Sequence, residues 1–400
     1  MPALPATIFR MGEQDRGRIQ RGRVATSLAF FLFGSALGVW TARIPAVKER
    51  LGLSDGRLSV ALLAFAAGCI VGMAAIGRLT DRFGSSRVLV PAALLEGVLL
   101  VVPGYMTGLV GLCVALVLFG AAHGTLNIAM NANAIEVQRA DGRPIMSSFH
   151  AVYSIGGFCG AIVGGFFAGR NVGAGTTFLI VGAAVVVLAI WTSLWILPSK
   201  TVDGETHPPR PESNGRRYVL LFLGFLVLCT LVGEGAAADW SAVYLRDHLG
   251  SDPGFAAYGY AAFSIAMTAG RFAGDPLVRA IGPVRLVRGS GLLAAAGLGV
   301  AMLIDHPVAG VVGFGLLGAG LSCVAPQIFS AAGDRDPQRA GRALSTVVSI
   351  GYLGFLLGPI AIGAAATVVG LRAALVVPVA LALFVAASAP AMRTTSTVER

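Results

Sequence analysis

Charged residues are scarce in this 400-residue sequence. Asp, Glu, Lys and Arg make up only 12% of it, while hydrophobic residues make up 56%. An ordinary globular protein is about 25% charged. A soluble fold of this size needs a large polar surface, and this chain has too few polar residues to form one. The composition excludes a soluble protein and predicts a polytopic membrane protein.

Cysteine is also scarce and carries no signature of a site. The five cysteines lie singly in apolar stretches, without a CxxC pair or Cys/His spacing: Cys69, Cys113, Cys159, Cys229 and Cys323. This pattern predicts packing residues and neither disulfides nor a metal site. The phosphate loop GxxxxGK[ST] and a nucleophile constellation are missing too. We therefore expect neither an enzyme nor an ATP-driven pump, and no cofactor.

The basic residues are not clustered as in a nucleic-acid-binding domain, although the net charge is +10. Such a domain gathers its basic side chains on one face. Here they lie in short groups between apolar runs, which predicts membrane topology and no nucleic-acid partner. The N-terminus is polar and arginine-rich up to Arg23, with no cleavable signal pattern.

Long apolar windows are what the sequence has in abundance. A spanning helix needs about 20 mostly apolar residues, and twelve windows meet this length: 24–45, 57–79, 86–106, 108–136, 145–169, 174–197, 217–245, 254–279, 285–304, 307–330, 342–366 and 370–389. The runs are continuous, whereas the strands of a membrane barrel alternate over about ten residues. The sequence therefore predicts an all-α protein with twelve transmembrane helices.

The distribution of lysine and arginine predicts the orientation. With a cytoplasmic N-terminus, 22 of the 30 basic residues lie in cytoplasmic segments and 7 lie outside, while Arg271 lies within a span. Cytoplasmic loops carry such an excess. Both termini are thus expected in the cytoplasm.

A hydrophilic, proline-containing stretch divides the chain into two halves. We expect a cytoplasmic tail at 1–23, a six-helix bundle at 24–197, a flexible linker at 198–216, a second six-helix bundle at 217–389 and a tail at 390–400.

The two halves are related by an internal repeat. At an offset of 198 residues, several glycines and a phenylalanine pair with each other: Gly52 with Gly250, Phe65 with Phe263, Gly84 with Gly282, and Gly120 with Gly318. Six is an even number of helices, so both halves enter the membrane in the same direction. Parallel repeats of this kind enclose a substrate cavity between them.

The segment Gly77–Arg87, GRLTDRFGSSR, resembles the G-x-L-x-D-R-x-G-R-[RK] loop of the major facilitator superfamily, with serines at its two basic positions. The resemblance implies this superfamily's fold, two pseudo-symmetric six-helix bundles. It also implies that the loop is a conformational latch, with two glycines for a tight turn and charged residues for ion pairs: Gly77, Gly84, Asp81, Arg82 and Arg87.

A glycine-rich segment follows in the fifth window. Gly156, Gly160, Gly164 and Gly165 resemble the g-x-x-x-G-P-x-x-G-G motif of drug/proton antiporters, with Ala161 at the proline position. The alternative is a face of small residues for close helix packing.

Three further segments resemble a bacterial subfamily that includes the YbjJ-like inner-membrane proteins and the rhizopine-associated membrane protein MosC. They are NIAMNANAIEV from Asn127, MSSFHA from Met146 and EGAAADWS from Glu234. This resemblance covers nearly the whole chain except its tails. It implies a secondary carrier in the bacterial inner membrane and points to sugar- or polyol-like solutes.

Polar residues within the spans are the candidates for function, because such residues are costly in a bilayer and usually face the bundle interior. His123, Asn127 and Asn131 recur at intervals of four and form one stripe on the fourth span. They suit a hydroxyl-rich or amide-bearing ligand, or alternatively hydrogen bonds between helices of the first half. Further cavity candidates are Tyr153, Trp240, Tyr260, Ser264 and Arg271.

Glu234 in span seven is the first candidate for proton coupling, since a carboxyl group in a low-dielectric site can exchange protons near neutral pH. A permanent ion pair is the alternative. Asp239, Glu136 and His150 are further candidates. We also expect a contact of Arg43 with Asp239 or Glu234 to close the outer gate.

Three expectations concern local partners. Arg271 and Asp275 are four residues apart, which predicts a local ion pair, although Arg271 could instead receive an anionic substrate. Glu136 could pair with Arg82 or Arg139 in the latch. Glu96 has no visible partner.

The sequence as a whole favours a monomeric, proton-coupled secondary transporter of a small polar solute. Proton-antiport efflux of drugs or metabolites is the close alternative. A sensor that has this fold but does not transport is more remote.

Overall fold

The computed structural model describes residues 13–53, 55–199, 214–251, 253–256 and 258–392, which form helices and contain no strand. The first half contains α1 (Glu13–Arg50), α2 (Asp55–Phe83), α3 (Ser85–Val101), α4 (Leu109–Asp141), α5 (Met146–Gly169) and α6 (Ala174–Ser193). The second contains α7 (Asn214–Val243), α8 (Pro253–Ala256), α9 (Tyr258–Ile281), α10 (Pro283–Ile304), α11 (Pro307–Leu321), α12 (Val324–Arg335), α13 (Ala340–Val369), α14 (Leu371–Ala374) and α15 (Val376–Ser388).

Parts of the predicted tails and linker, namely residues 1–12, 200–213 and 393–400, lie outside the described residues. The predicted all-helical polytopic fold is confirmed. Eleven helical segments among the described residues are long and apolar enough to cross a membrane. The remaining predicted span corresponds to α9, whose polarity comes from Arg271, Asp275 and Arg279.

Two predicted spans are each divided into two helices. The window 307–330 is broken between α11 and α12, and the window 370–389 between α14 and α15. Pro326 and Pro378 lie in the first turn after each break. Proline has no N–H to donate to the carbonyl four residues earlier, which explains why each helix restarts there.

The internal repeat appears as repeated packing. In the first half α1 packs on α5, α2 on α4, and α3 on α4 and α6; in the second half α7 packs on α13, α9 on α11, and α10 on α11 and α15. A Cβ atom on Gly120 would lie 2.2 Å from the Phe65 carbonyl oxygen, and one on Gly318 would lie 2.3 Å from that of Phe263. Residues matched at the 198-residue offset thus make the same close helix contact.

The two halves meet mainly at one end of the bundle. We call this the linker end, because α6 ends and α7 begins there. Here α2 packs against α13, α5 against α9, and α12 against α4 and α5. The α2–α3 and α9–α10 turns also lie at this end, and the repeat-matched Gly84 and Gly282 adopt positive φ angles of 85° and 80° in them, a conformation that glycine adopts without a steric penalty.

Candidate functional site

Arg271 connects the two halves at the centre of the bundle. Its Nη2 lies 3.9 Å from Glu234 Oε1, and both side chains are largely buried. Its Nη1 donates a 2.6 Å hydrogen bond to Ser154 Oγ on α5, and its guanidinium group lies 5.9 Å from the centre of the Tyr153 ring. Because Glu234 belongs to α7 and Ser154 to α5, one cation contacts both halves.

A second polar contact between the halves lies on α4 and α13. Asn127 Nδ2 donates to the Tyr352 hydroxyl at 3.1 Å. Asn131 donates to the backbone and side-chain oxygens of Asn127, while its own Oδ1 is buried without a partner among the described residues. Asn127 therefore contacts the other half, and Asn131 contacts Asn127 on the same helix.

His123, the third member of that stripe, lies inside the first half. Its Nδ1 is 2.7 Å from Glu96 Oε1, and both side chains are almost fully buried. Its ring stacks on Phe33 with a centroid distance of 3.8 Å and has Phe65 and Phe119 nearby. For His123, the structure therefore shows the alternative to ligand binding, a hydrogen bond between helices of the first half. The same contact gives Glu96 a partner.

The other candidate histidine, His150, lies among rings on neighbouring helices. Its ring centre is 5.3 Å from that of Phe30 on α1 and 5.7 Å from that of Phe329 on α12. Its Nε2 is buried without a hydrogen-bond partner among the described residues.

The predicted ion pair between Arg271 and Asp275 is wrong. Asp275 instead accepts hydrogen bonds from the backbone N–H groups of Ser147 and Ser148, both at 3.0 Å, and from the Ser148 hydroxyl. These groups belong to the first turn of α5, where free N–H groups favour a carboxylate. Asp275 therefore contacts α5 instead of Arg271, and Arg271 contacts Glu234 and Ser154.

Asp81 makes the corresponding contact between α2 and α13. Its two carboxylate oxygens accept from the N–H groups of Gly341 and Arg342 at 2.8 and 3.0 Å. The two carboxylates thus each cap the first turn of a helix in the opposite half. We refer to Asp81 and Asp275, with these N–H partners, as the two caps.

The other residues of the segment Gly77–Arg87 lie around the cap at Asp81. A Cβ atom on Gly77 would lie 2.6 Å from Ser345 Cβ on α13, so the absence of a side chain lets the helices approach. Gly84 forms the turn into α3. Arg82 lies over the ring of Phe83, and Arg87 is exposed.

Glu136 forms no direct ion pair with Arg82 or Arg139, although the charge of Arg139 is close enough to act on it. The nearest polar neighbours of Glu136 are Ser85 and Ser199. Arg139 instead reaches across the interface to the Gly333 carbonyl oxygen at 2.6 Å and to Asp334 at 3.4 Å. Asp334 and Gly333, at the end of α12, supply acceptors that no spacing in the sequence indicated.

The predicted outer-gate contact is not formed in this conformation. Arg43 is buried and donates to the Val172 carbonyl oxygen within its own half. Asp239 is exposed, and Glu234 pairs with Arg271. Every hydrogen bond that joins the halves within the described residues lies at Arg271, at Asn127 or nearer the linker end.

Three aromatic and hydroxyl candidates lie on α7 and α9. Trp240 has a buried Nε1 without a partner among the described residues. Tyr260 stacks on Phe263 at 6.0 Å and is 46% exposed. Ser264 is half-buried, and its backbone carbonyl oxygen accepts from Thr268.

The glycines of the fifth span serve the contact between α1 and α5. Cβ atoms on Gly156, Gly160 and Gly164 would lie within 2.7 Å of α1 atoms, whereas one on Gly165 would meet open space. Three of the four therefore have the packing role that was the alternative to an antiporter motif.

Sequence reasoning missed several partners at the interface. Ser154 and Tyr352 contact Arg271 and Asn127, and the first turns of α5 and α13 receive the two caps. All these contacts join residues more than 100 positions apart. The one available signal was that Asp81 and Asp275 end the equivalent second and eighth spans.

The comparisons with known proteins identify a family with this fold. The family model of the Major Facilitator Superfamily matches residues 25–339 and 223–399. An uncharacterized MFS-type transporter of Yersinia pestis is 37% identical over 92% of this chain and 95% of its own length. Membrane protein MosC of Rhizobium meliloti is 34% identical over 90% of this chain and 88% of its own length.

Among solved structures, the fucose:proton symporter FucP of E. coli shares the fold. Its structure in the outward conformation superposes with a TM-score of 0.79 at 17% identity and covers 93% of this chain and 98% of FucP. The family match extends over nearly the whole chain, and this family consists of transporters, not enzymes. The chain belongs to the major facilitator superfamily.

Proposed function

We propose that this transporter carries a small polar organic solute across the bacterial cytoplasmic membrane by alternating access, coupled to protons. The observation that carries the proposal is the Glu234–Arg271–Ser154 arrangement. Charged side chains at membrane depth are costly and mark substrate or proton pathways. This acid and this cation lie where the two halves meet.

The geometry supports a protonation-dependent contact. The 3.9 Å separation of Arg271 from Glu234 is an ion pair without a close hydrogen bond, whereas Ser154 lies at 2.6 Å. A proton on Glu234 removes the negative charge that attracts the guanidinium group within its own half. Arg271 is then held mainly by the opposite half and by any solute that offers oxygen atoms.

The surrounding groups suit a solute rich in hydroxyl groups. Asn127 and Tyr352 offer donors and acceptors from opposite halves, and Asn131 Oδ1 and Trp240 Nε1 are buried polar atoms without protein partners in the described part of the chain. Buried polar groups are stabilised when they gain a hydrogen bond. The shared fold with the fucose:proton symporter FucP supports the same class of solute.

Alternating access requires the two caps to break. Both hold the linker end closed in this structure. We place the linker end in the cytoplasm on the basis of the basic residues. In the opposite state, Arg43 and Asp239 are the groups we assign to closing the other end.

A proteoliposome assay with a pH-sensitive dye inside the vesicles tests the proposal. Sugars, polyols and cationic drugs are added outside one at a time. We expect a sugar- or polyol-class solute to enter together with protons and acidify the lumen. Alkalinisation by the solute would instead show antiport, and solute movement without proton flux at any pH would overturn the coupling.

A further inference from the structure

A basic cleft lies at the linker end of the second half, between the starts of α7 and α13. Its volume is about 340 Å³, and its lining combines arginines with aliphatic side chains: Arg216, Arg217, Arg342, Leu220, Leu221 and Ala343, with Asp336 and Thr346. None of these residues belongs to the central site. The proposed transport mechanism uses the backbone N–H of Arg342, in the cap at Asp81, but no side chain of the cleft.

Among the described residues that line the cleft, three are arginines and Asp336 is the one carboxylate, so this lining is positively charged. Asp336 is also engaged: its Oδ2 pairs with Arg216 Nη1 at 3.0 Å, and its Oδ1 accepts from the backbone N–H of Arg339. Arg217 is exposed and forms no ion pair with another described residue. The cleft therefore offers guanidinium groups to an anion, and guanidinium matches the geometry of phosphate oxygens.

The apolar part of the lining indicates which class of phosphate-containing molecule fits the cleft. The α7 side chains next to the arginines are Leu220 and Leu221, and Leu221 and Tyr218 are exposed on this helix surface. The arginines thus lie at the end of an apolar helix face. This arrangement is found where a membrane helix leaves the bilayer. Basic pockets at such positions bind anionic headgroups, and the adjoining apolar surface accepts acyl chains.

We propose that this cleft binds the phosphate headgroup of an anionic phospholipid. The lipid phosphate contacts Arg216 and Arg217, and its acyl chains lie along the exposed face of α7. The site is next to the cap at Asp81, because Arg342 lines the cleft and its backbone N–H donates to Asp81.

Native mass spectrometry of the purified full-length protein tests this assignment, with added phosphatidylglycerol or phosphatidylcholine as probes. We expect selective retention of phosphatidylglycerol. A basic residue near a membrane surface strengthens binding by about 5-fold, so the Arg216→Gln/Arg217→Gln variant should bind phosphatidylglycerol about 25-fold more weakly. The matched control is Arg279→Gln/Arg285→Gln, which removes two exposed arginines at the same end and should bind like the unaltered protein.

Thermal unfolding of each variant in detergent confirms that the protein remains folded. Equal retention of both lipids, or equal loss in the test and control variants, would overturn the proposal. A competition experiment with millimolar inorganic phosphate distinguishes a lipid headgroup from free phosphate as the bound anion. Displacement of the lipid by free phosphate at that concentration would also overturn the assignment to a lipid.

Discussion

At the scale of single residues, the structure shows which polar side chains serve stability and which meet at the interface. His123 and Glu96 illustrate the first group, and Glu234 and Arg271 the second. The sequence marked all four as unusual, because each is ionisable and lies in an apolar window. It could not assign partners, because Glu96 and His123 lie on different helices. For Arg271 and Asp275, spacing suggested a local pair that tertiary contacts override.

Removing one member of the Glu96–His123 pair should destabilise the protein. Glu96→Ala leaves His123 buried without its partner, and breaking a buried pair in this way costs about 3–5 kcal/mol. Glu96→Gln keeps a hydrogen bond and should cost much less. The measurement is the thermal unfolding midpoint in detergent.

The double variant Glu96→Ala/His123→Ala supplies the control for that prediction. Coupled residues have non-additive effects, so the double variant should lose less stability than the two single variants combined. Strict additivity would show that the two side chains do not stabilise each other.

At the scale of helices, close packing and helix capping determine how the elements meet. The glycine segment of α5 shows how much the sequence could predict. Its regular spacing predicted a small-residue face, and the structure identifies α1 as the neighbour. The sequence identified Asp81 and Asp275 as candidate residues, but not the helix N-termini whose N–H groups donate to them. The two caps could therefore be predicted only in part.

Gly156→Ala should destabilise the contact between α1 and α5. The new Cβ atom would lie 2.2 Å from the Phe31 carbonyl oxygen, so the helices must separate, and overpacking of this kind costs about 1–3 kcal/mol. Gly165→Ala is the matched control on the same helix, because its Cβ would meet open space. Thermal unfolding in detergent compares the two variants, and equal midpoints would contradict the packing role.

Removing the caps should shift the protein toward the state that is open at the linker end. In Asp81→Asn/Asp275→Asn, each carboxylate loses its charge at a helix N-terminus, which costs about 1–2 kcal/mol per cap in partly buried geometry. The population of the open state should rise at least about tenfold. Spin labels at the exposed positions Arg87 and Arg288, one in each half, report the distance across this end.

Asp334→Asn is the control for the caps, because Asp334 takes part in a partly exposed ion pair with Arg139 at 3.4 Å, and such pairs contribute little. It should leave the distance distribution nearly unchanged. If the double cap variant also leaves that distribution unchanged, the caps do not hold the linker end closed.

At the scale of the whole molecule, composition and apolar windows were sufficient to predict the fold class. The repeat at an offset of 198 residues predicted two related halves, and the matched Gly120 and Gly318 contacts show that relation in the packing. Hydropathy does not indicate the helix breaks before Pro326 and Pro378, because the apolar windows run through both breaks. The conformation, closed at the linker end, depends on contacts between distant residues that no local pattern contains.

The excess of basic residues predicts that both termini face the cytoplasm. Green fluorescent protein fused after Arg400 should therefore fluoresce in bacterial cells, and alkaline phosphatase fused there should be inactive. The same phosphatase inserted after Asn171, between α5 and α6, should be active. Active phosphatase at the C-terminus would contradict the orientation.

In the proposed mechanism, Glu234 couples proton movement to solute movement. Two assays in proteoliposomes test this coupling with the Glu234→Gln variant, and Asp247→Asn, which alters an exposed carboxylate just beyond α7, is the control. We expect Glu234→Gln to retain solute exchange between the two sides but to lose accumulation driven by a proton gradient, while Asp247→Asn retains both. Undiminished proton-driven accumulation by Glu234→Gln would contradict this coupling.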